Sequence, residues 1–588
     1  MRHNLIHGIT CTLLLLPIIA NGSCEADTTI QDYPQTKAHI EKASKQLMRR
    51  YHLPALAITL VDDQEIIYQN ARGLIDIENN IEASTESVFK LWSVAKAFTA
   101  LEIFRELEEG LIDLDAPLTT YLPEFSIQNR FEGSDPITVR DLLAHRAGLP
   151  RHEGLLPEER DKDLSFLEKF ERGASSCYLA YPVPYRYKYS NLGYDLLGRI
   201  IELTRHMGYY QYMKEHILDE LGMGSSNFYR EGIADSLQIA LGYEYYKRDY
   251  YPYVQYNINN VPSGNLYSTI EDLSSFLKAI FRNQLFEKYA TLTEMFVDHY
   301  SNPQDPQTMG LGWKTVRTES DELVIWHDGG PTEGIGSLIA FLPDKKIGIA
   351  LVGNGTTLSG AYSMPIAMDI LNTMLEEREG IARVKTEKHH SKHAEGSQFQ
   401  AFEGKYVAFG DIVDVKAKKN KLKTRIEGFN LSLIPLGDNE FAVTNWMDKI
   451  GLTKFARLPM DLGQIKIRFI KTGLVDSSIM ILNFGNISYE ICPKYPNNLG
   501  LPERWKSLEG EYKVAELSPG NKIGKTGDSS VQISMEEGVL KMSGIYGPII
   551  PVDDKYLKIV GGPFHGETME YNNEKGHIIH QKTIFIHE

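Results

Sequence analysis

Cysteine is nearly absent. Only Cys11, Cys24, Cys177 and Cys492 occur in 588 residues. Four scattered cysteines make neither a disulfide framework nor a thiolate metal cluster, so no metal site is expected. A Cys177–Cys492 bridge is open to the chain in an oxidising compartment, but nothing in the spacing favours it. Basic charge is also short: 62 Lys and Arg stand against 78 Asp and Glu, a net charge of −16. No Lys/Arg cluster is large enough to reverse that balance, which excludes nucleic acid as a partner. Long apolar runs are missing too, so no transmembrane helix is expected beyond the N-terminus.

The N-terminus itself is informative. Arg2 and His3 precede an apolar run from Cys11 to Ala20, followed by Ala20-Asn21-Gly22. A basic start, a short apolar stretch and a small-x-small site read as a secretory signal peptide over residues 1–22. The expected location is therefore outside the cytoplasm, periplasmic or secreted. Cys24 offers a lipid anchor as the lesser alternative, because Asn21-Gly22-Ser23 lacks the large aliphatic residue such sites carry.

At roughly 100–200 residues per domain, the length implies more than one domain. Residues 33–378 mix helical and strand patterns. A helix is expected at 36–51, strands in LPALAITLV and QEIIYQNARG, a helix at 93–109, strands in ELVIWHDG and GSLIAFLPDKKIGIALVGN, and a helix at 361–378. Strands at both ends with helices between them predict an α/β (α+β) domain, an antiparallel sheet flanked by helices. Residues 379–398 are polar and aperiodic, a linker whose His389, His390 and His393 read as solvated rather than metal-binding. From 399 onward, alternating segments between Gly, Asn and Asp turns predict an all-β region. That region echoes itself: Phe402-Glu403-Gly404-Lys405-Tyr406 matches Leu508-Glu509-Gly510-Glu511-Tyr512. Two β units (399–500 and 501–588) or two halves of one lipocalin-like barrel both fit the duplication.

Three short segments carry chemistry. Ser93-Val94-Ala95-Lys96 lies where an extended stretch meets an apolar-periodic helix. One helical turn puts Ser93 and Lys96 on one face, about 5–6 Å apart at Cβ. A desolvated lysine there can take the serine proton, and the helix N-terminus favours the oxyanion. Ser-x-x-Lys alone is weak, since Ser275 and Lys278 repeat it by chance. Tyr189-Ser190-Asn191 adds a phenol for proton transfer and an amide for substrate. His327-Asp328-Gly329-Gly330 follows a strand; Gly329 and Gly330 let a substrate backbone lie close, and the Gly330 and Ser93 amides could form an oxyanion hole. Each of these segments has an ordinary structural reading as a turn or strand end. No helix opens after the glycines, which excludes a dinucleotide loop.

Their order, Ser-x-x-Lys, Tyr-x-Asn and then a His-x-Gly strand, resembles the serine β-lactamase and penicillin-binding-protein superfamily. The branch it looks like holds class C β-lactamases, D-alanyl-D-alanine carboxypeptidases, D-aminopeptidases and related esterases. ITVRDLLAHRAGLP (137–150), Leu221-Gly222-Met223, PSGNLYSTIEDL (262–273) and 327–343 fit the same branch. The resemblance covers about 36–378 and implies a serine hydrolase. Ser93 would be acylated, Lys96 and Tyr189 would move its proton, and Asn191 and His327 would bind substrate, with no cofactor. It implies a small peptide containing a D-amino acid, an ester, or cell-wall-derived material as substrate. His327 stands where many relatives have Lys, which weakens a carboxylate-binding charge and puts efficient β-lactam hydrolysis in doubt. The Lys-Thr-Gly triplets at 471–473 and 525–527 fall outside the matching region and read as decoys. Two rivals remain: a penicillin- or peptide-binding sensor that acylates and stops, and an assembly protein whose β region mediates homo-oligomers. The tyrosine-crowded stretch Tyr243–Tyr256 reads equally as an aromatic wall beside the cleft or as a surface hairpin.

Overall fold

The computed structural model describes residues 32–587 except 153–165, 254–257, 301–307, 382–395, 445–464, 472–477, 497–500, 517–529 and some isolated positions or pairs. The expected signal peptide (1–22), most of the expected linker with its three histidines, and Lys525 lie outside the described residues. Among those described, no helix is long and apolar enough to cross a membrane.

In chain order, the first domain contains α1 (Pro34–Tyr51), β1 (Ala55–Asp62), β2 (Glu65–Asp76), β3 (Ile81–Glu82), β4 (Phe89–Trp92), α2 (Ala95–Glu108) and α3 (Asn191–Arg205). There follow β5 (Tyr243–Tyr246), β6 (Asp249–Pro252), β7 (Leu266–Ser268), α4 (Ile270–Phe281), β8 (Lys314–Arg317), β9 (Leu323–Gly329), β10 (Gly336–Leu342), β11 (Ile347–Gly353) and α5 (Gly360–Glu379). The expected antiparallel sheet is present, in the order β3-β2-β1-β11-β10-β9-β8. N- and C-terminal strands meet at its centre, where Ile58 lies opposite Leu351.

Every residue of β10 and β11 is buried, because helices cover both sheet faces. The strand period of two then sorts side chains between two cores. Ile339 and Phe341 face the larger core with Phe98, Phe104 and Trp313. Leu338 and Ala340 face the smaller one with Ile40, Leu47 and Ile370 from α1 and α5. The continuous apolar runs in the sequence follow from this double coverage.

The duplicated region is two closed eight-stranded barrels, one running from Gly404 to Tyr495 and the other from Gly510 to His587. The repeated Glu-Gly-x-Tyr explains how each one closes. Gly404 (φ 150°) and Gly510 (φ 154°) start the first strands, and a Cβ there would strike Lys494 and the His587 ring respectively. Tyr406 and Tyr512, two residues on, are fully buried in their barrel cores. Of the two arrangements the sequence allowed, separate barrels are the one formed.

The barrels are joined at a shared apolar cluster of Val407, Tyr495, Val539 and Val560. The second barrel also docks on the first domain. Arg130 donates to the Thr568 hydroxyl, its guanidinium lies 4.9 Å from the Tyr556 ring centroid, and Tyr178 donates to Glu570 at 3.0 Å. The tyrosine-rich stretch forms the β5–β6 hairpin, with Tyr245 stacked on His52 at 3.7 Å and Tyr246 and Tyr251 exposed; positions 254–257 lie outside the described residues.

Candidate active site

β4 pairs with β7 and ends at Trp92, whose φ of 52° is in the left-handed region. A bulky aromatic rarely adopts that conformation, so the strand-to-helix turn is strained. Lys90 Nζ, 3.9 Å from the Trp92 ring centroid and 3.6 Å from Glu333, packs against this turn. The turn delivers Ser93 to the head of α2, whose sequence AKAFTALEIFRELE is rich in good helix formers.

Lys96 follows within the first turn and is fully buried. Its Nζ lies 2.7 Å from Asn191 Oδ1, 2.5 Å from the Ser263 carbonyl and 3.3 Å from Ser93 Oγ. Burial pushes its pKa well below the usual lysine value, opposed by the Asp195 carboxylate and reinforced by Arg151 and Lys314. A neutral amine has two N–H donors. In that form the two carbonyls would take them and leave the lone pair for the Ser93 hydroxyl. Tyr189 Oη donates to Ser93 Oγ at 2.8 Å. Burial raises the Tyr189 pKa above its ordinary value, so the phenol keeps its proton.

The loop before α3 is held by the 145–151 segment. Lys188 N donates to the His145 carbonyl (2.8 Å), Ser190 N to His145 Nδ1 (3.1 Å) and Ser190 Oγ to the Pro150 carbonyl (2.6 Å). Ser190 Oγ also accepts from Gly193 N at 3.1 Å, so the middle residue of Tyr-Ser-Asn caps α3. Asn191 N donates to the Arg151 carbonyl at 2.8 Å. Gly148 (φ 63°) allows the close approach, since a Cβ there would sit 2.1 Å from the Tyr181 carbonyl.

On the sheet side, His327 in β9 is fully buried opposite Ile339. Its Nδ1 lies 2.9 Å from the Asp328 carbonyl, which can only accept, so Nδ1 carries the proton. Nε2 is then a bare acceptor, and it has no hydrogen-bond partner among the described residues. Burial, reinforced by Lys314, lowers the ring's pKa to about 3, so it is neutral. Asp328 is paired with Lys314 at 2.5 Å. Gly329 lies against β4, where a Cβ would fall 2.0 Å from the Leu91 carbonyl, and Gly330 follows at the strand end.

Gly329→Ala is therefore expected to push β9 off β4, two residues from Ser93. Overpacking of this kind costs about 1–3 kcal/mol, and a denaturant midpoint would report it. An unchanged midpoint would show that the strands part freely.

Ser93, Lys96, Tyr189 and Asn191 are thus in direct contact, while His327 and Gly329 border them through β9. The sequence reading did not single out Asp195, Ser263, His145 or Arg151. Asp195 is one turn after Asn191 on α3, a spacing that could have flagged it. It is fully buried, accepts from Asn260 Nδ2 at 2.6 Å, and has its pKa raised to about 7 by burial. Lys471, first residue of one Lys-Thr-Gly triplet, follows the barrel strand Ile465–Ile470.

The Beta-lactamase family pattern matches residues 40–369, more than half of the 588. Protein flp of Staphylococcus aureus (strain MW2) is 26% identical over 337 residues, 56% of this chain and 64% of that protein. Beta-lactamase-like protein 2 of Dictyostelium discoideum is 30% identical over 336 residues, 55% of this chain and 59% of that protein. The chain thus spans less than two thirds of the length of these relatives. Among solved structures, the octameric penicillin-binding protein homologue from Pyrococcus abyssi superposes with a TM-score of 0.52 at 23% identity, covering 79% of this chain and 100% of that one. SurE, solved with D-Leu, gives the same score at 19% identity and the same coverage. These two likenesses concern the fold, and the family match concerns the segment that holds the serine, lysine and tyrosine: the chain belongs to the beta-lactamase family.

Proposed function

We propose that the protein is an exported serine hydrolase that works through a Ser93 acyl-enzyme, with a peptide containing a D-amino acid or a carboxylic ester as substrate. The observation that carries this reading is the Lys96 amine. Its Nζ lies within reach of two carbonyls and faces Ser93 Oγ at 3.3 Å, and burial lowers its pKa.

In this reading Lys96 takes the Ser93 proton as Oγ attacks the substrate carbonyl. Tyr189, protonated and 2.8 Å from Oγ, passes a proton to the departing amine or alkoxide and is reprotonated from Lys96. The main-chain amides of Ser93 and Gly330 are the proposed oxyanion donors. Asn191 and His327 hold the substrate. A neutral His327 offers an acceptor where a lysine would offer a charge, which favours a substrate group that donates a hydrogen bond over a carboxylate. β-Lactams, whose carboxylate needs that charge, come third. Export rests on the character of residues 1–22.

Intact mass after mixing the mature protein with a penicillin and, separately, an activated ester tests the reading. A +acyl adduct is expected with the ester, decaying as water deacylates it. An adduct that persists would favour a sensor over a hydrolase. No adduct with either reagent would sink the acyl-enzyme.

A further inference from the structure

One buried carboxylate near the site belongs to neither the Ser-x-x-Lys nor the Tyr-x-Asn segment. Glu567, on the second barrel, is 1% exposed. Four donors surround it, two from each domain. Oε1 accepts from Lys188 Nζ (2.8 Å) and Arg151 N (2.8 Å) of the catalytic domain. Oε2 accepts from Gln581 Nε2 (2.9 Å) and faces His580 Nε2 (3.1 Å) of its own barrel. Burial alone would raise the carboxyl's pKa, but Lys188 and His580 hold it at about 2.

Both catalytic-domain donors sit beside the catalytic segment. Lys188 immediately precedes Tyr189, and its Nζ also donates to the Pro563 carbonyl at 3.1 Å. Arg151 accepts from Asn191 N through its carbonyl, and its guanidinium lies 5.0 Å from the Tyr189 ring centroid. The barrel loop presses close here: a Cβ on Gly566 (φ 86°) would fall 2.5 Å from the Tyr181 ring. Docking as such is served elsewhere, by Arg130–Thr568 and Tyr178–Glu570.

We propose that Glu567 is a positioning residue, through which the second barrel clamps Lys188 and Arg151 and so fixes Tyr189 against Ser93. The inference rests on the serine-hydrolase reading above. Glu567 does not touch the reacting atoms; it acts through the segment that does. A catalytic group displaced by about 1 Å can lose on the order of 100-fold in rate.

The test uses the full chain and the rate of Ser93 acylation by an activated ester, resolved into a first-order constant and an apparent binding constant. Glu567→Gln is expected to slow the first-order constant roughly 10- to 100-fold with binding within about twofold, and Glu567→Asp to recover part of it. Glu570→Gln, which weakens docking away from Tyr189, is expected to acylate at the wild-type rate. The decisive comparison is non-additivity: Tyr189→Phe combined with Glu567→Gln should be no slower than Tyr189→Phe alone. A merely structural role would not move that term. Wild-type acylation in Glu567→Gln, or a loss that adds in full on Tyr189→Phe, overturns the proposal and leaves the hydrolase intact. Should Glu567→Gln fail to fold because Lys188 is left unpaired, Lys188→Met with Glu567→Leu removes both charges; slow acylation supports the clamp and normal acylation overturns it. A wild-type protein that the ester never acylates removes the hydrolase reading, and the clamp with it.

Discussion

Ser93→Ala is expected to lose acylation and turnover while keeping its fold. The hydroxyl oxygen is the only atom removed, and it is the atom that Tyr189 Oη and Lys96 Nζ both face. The adduct expected on wild type should therefore vanish. Loss of a nucleophile in a serine hydrolase costs on the order of 10⁴–10⁶ in kcat. Stability should barely change. The backbone turn survives, because Lys96 N still donates to the Ser93 carbonyl at 3.1 Å. Ser93 is only half-buried, so water can replace the lost partner of Tyr189. A thermal midpoint close to wild type with no adduct is the expected pair of results. An adduct of undiminished mass on Ser93→Ala would place the nucleophile elsewhere.

Much of this site was legible because its logic is local. Ser-x-x-Lys spans one helical turn, and helix geometry alone puts the two residues together. Ser190 is a helix cap, so Tyr-Ser-Asn reads as a loop entering a helix. β10 and β11 were legible as strands because their apolar runs end at turns. What was not legible is pairing at a distance. Nothing near residue 567 says that its carboxylate meets Lys188, 379 residues away in sequence. The choice between two barrels and two halves of one was likewise open, because both satisfy the same alternation and the same repeat. Strand register decides it: the first strand of each barrel pairs with the last strand of its own unit, Lys405 with Tyr495 and Tyr512 with His587. The strained Trp92 could not be foreseen either, because propensity disfavours a left-handed tryptophan and only the surrounding packing enforces it.

Lys96 gives the second large effect, and its pH dependence separates two roles for the side chain. If the amine is the base, activity needs the neutral form. Its pKa is lowered, chiefly by burial, so the neutral form extends to lower pH than for an ordinary lysine. As pH falls through that lowered value the amine gains a third proton, the lone pair disappears, and acylation should fall with it. The acid limb of the acylation rate would therefore report Lys96. Lys96→Ala is expected to slow acylation by about 10²–10⁴. Lys96→Arg is the sharper variant, because it keeps a positive charge beside Ser93 but cannot give up a proton at these pH values. A base mechanism predicts that Lys96→Arg is as slow as Lys96→Ala. A purely electrostatic role, with charge stabilising the oxyanion, predicts that it retains much of the rate and loses the acid limb. Acylation of Lys96→Arg at near wild-type speed would overturn the reading of Lys96 as the proton acceptor and leave it only as a fixed charge.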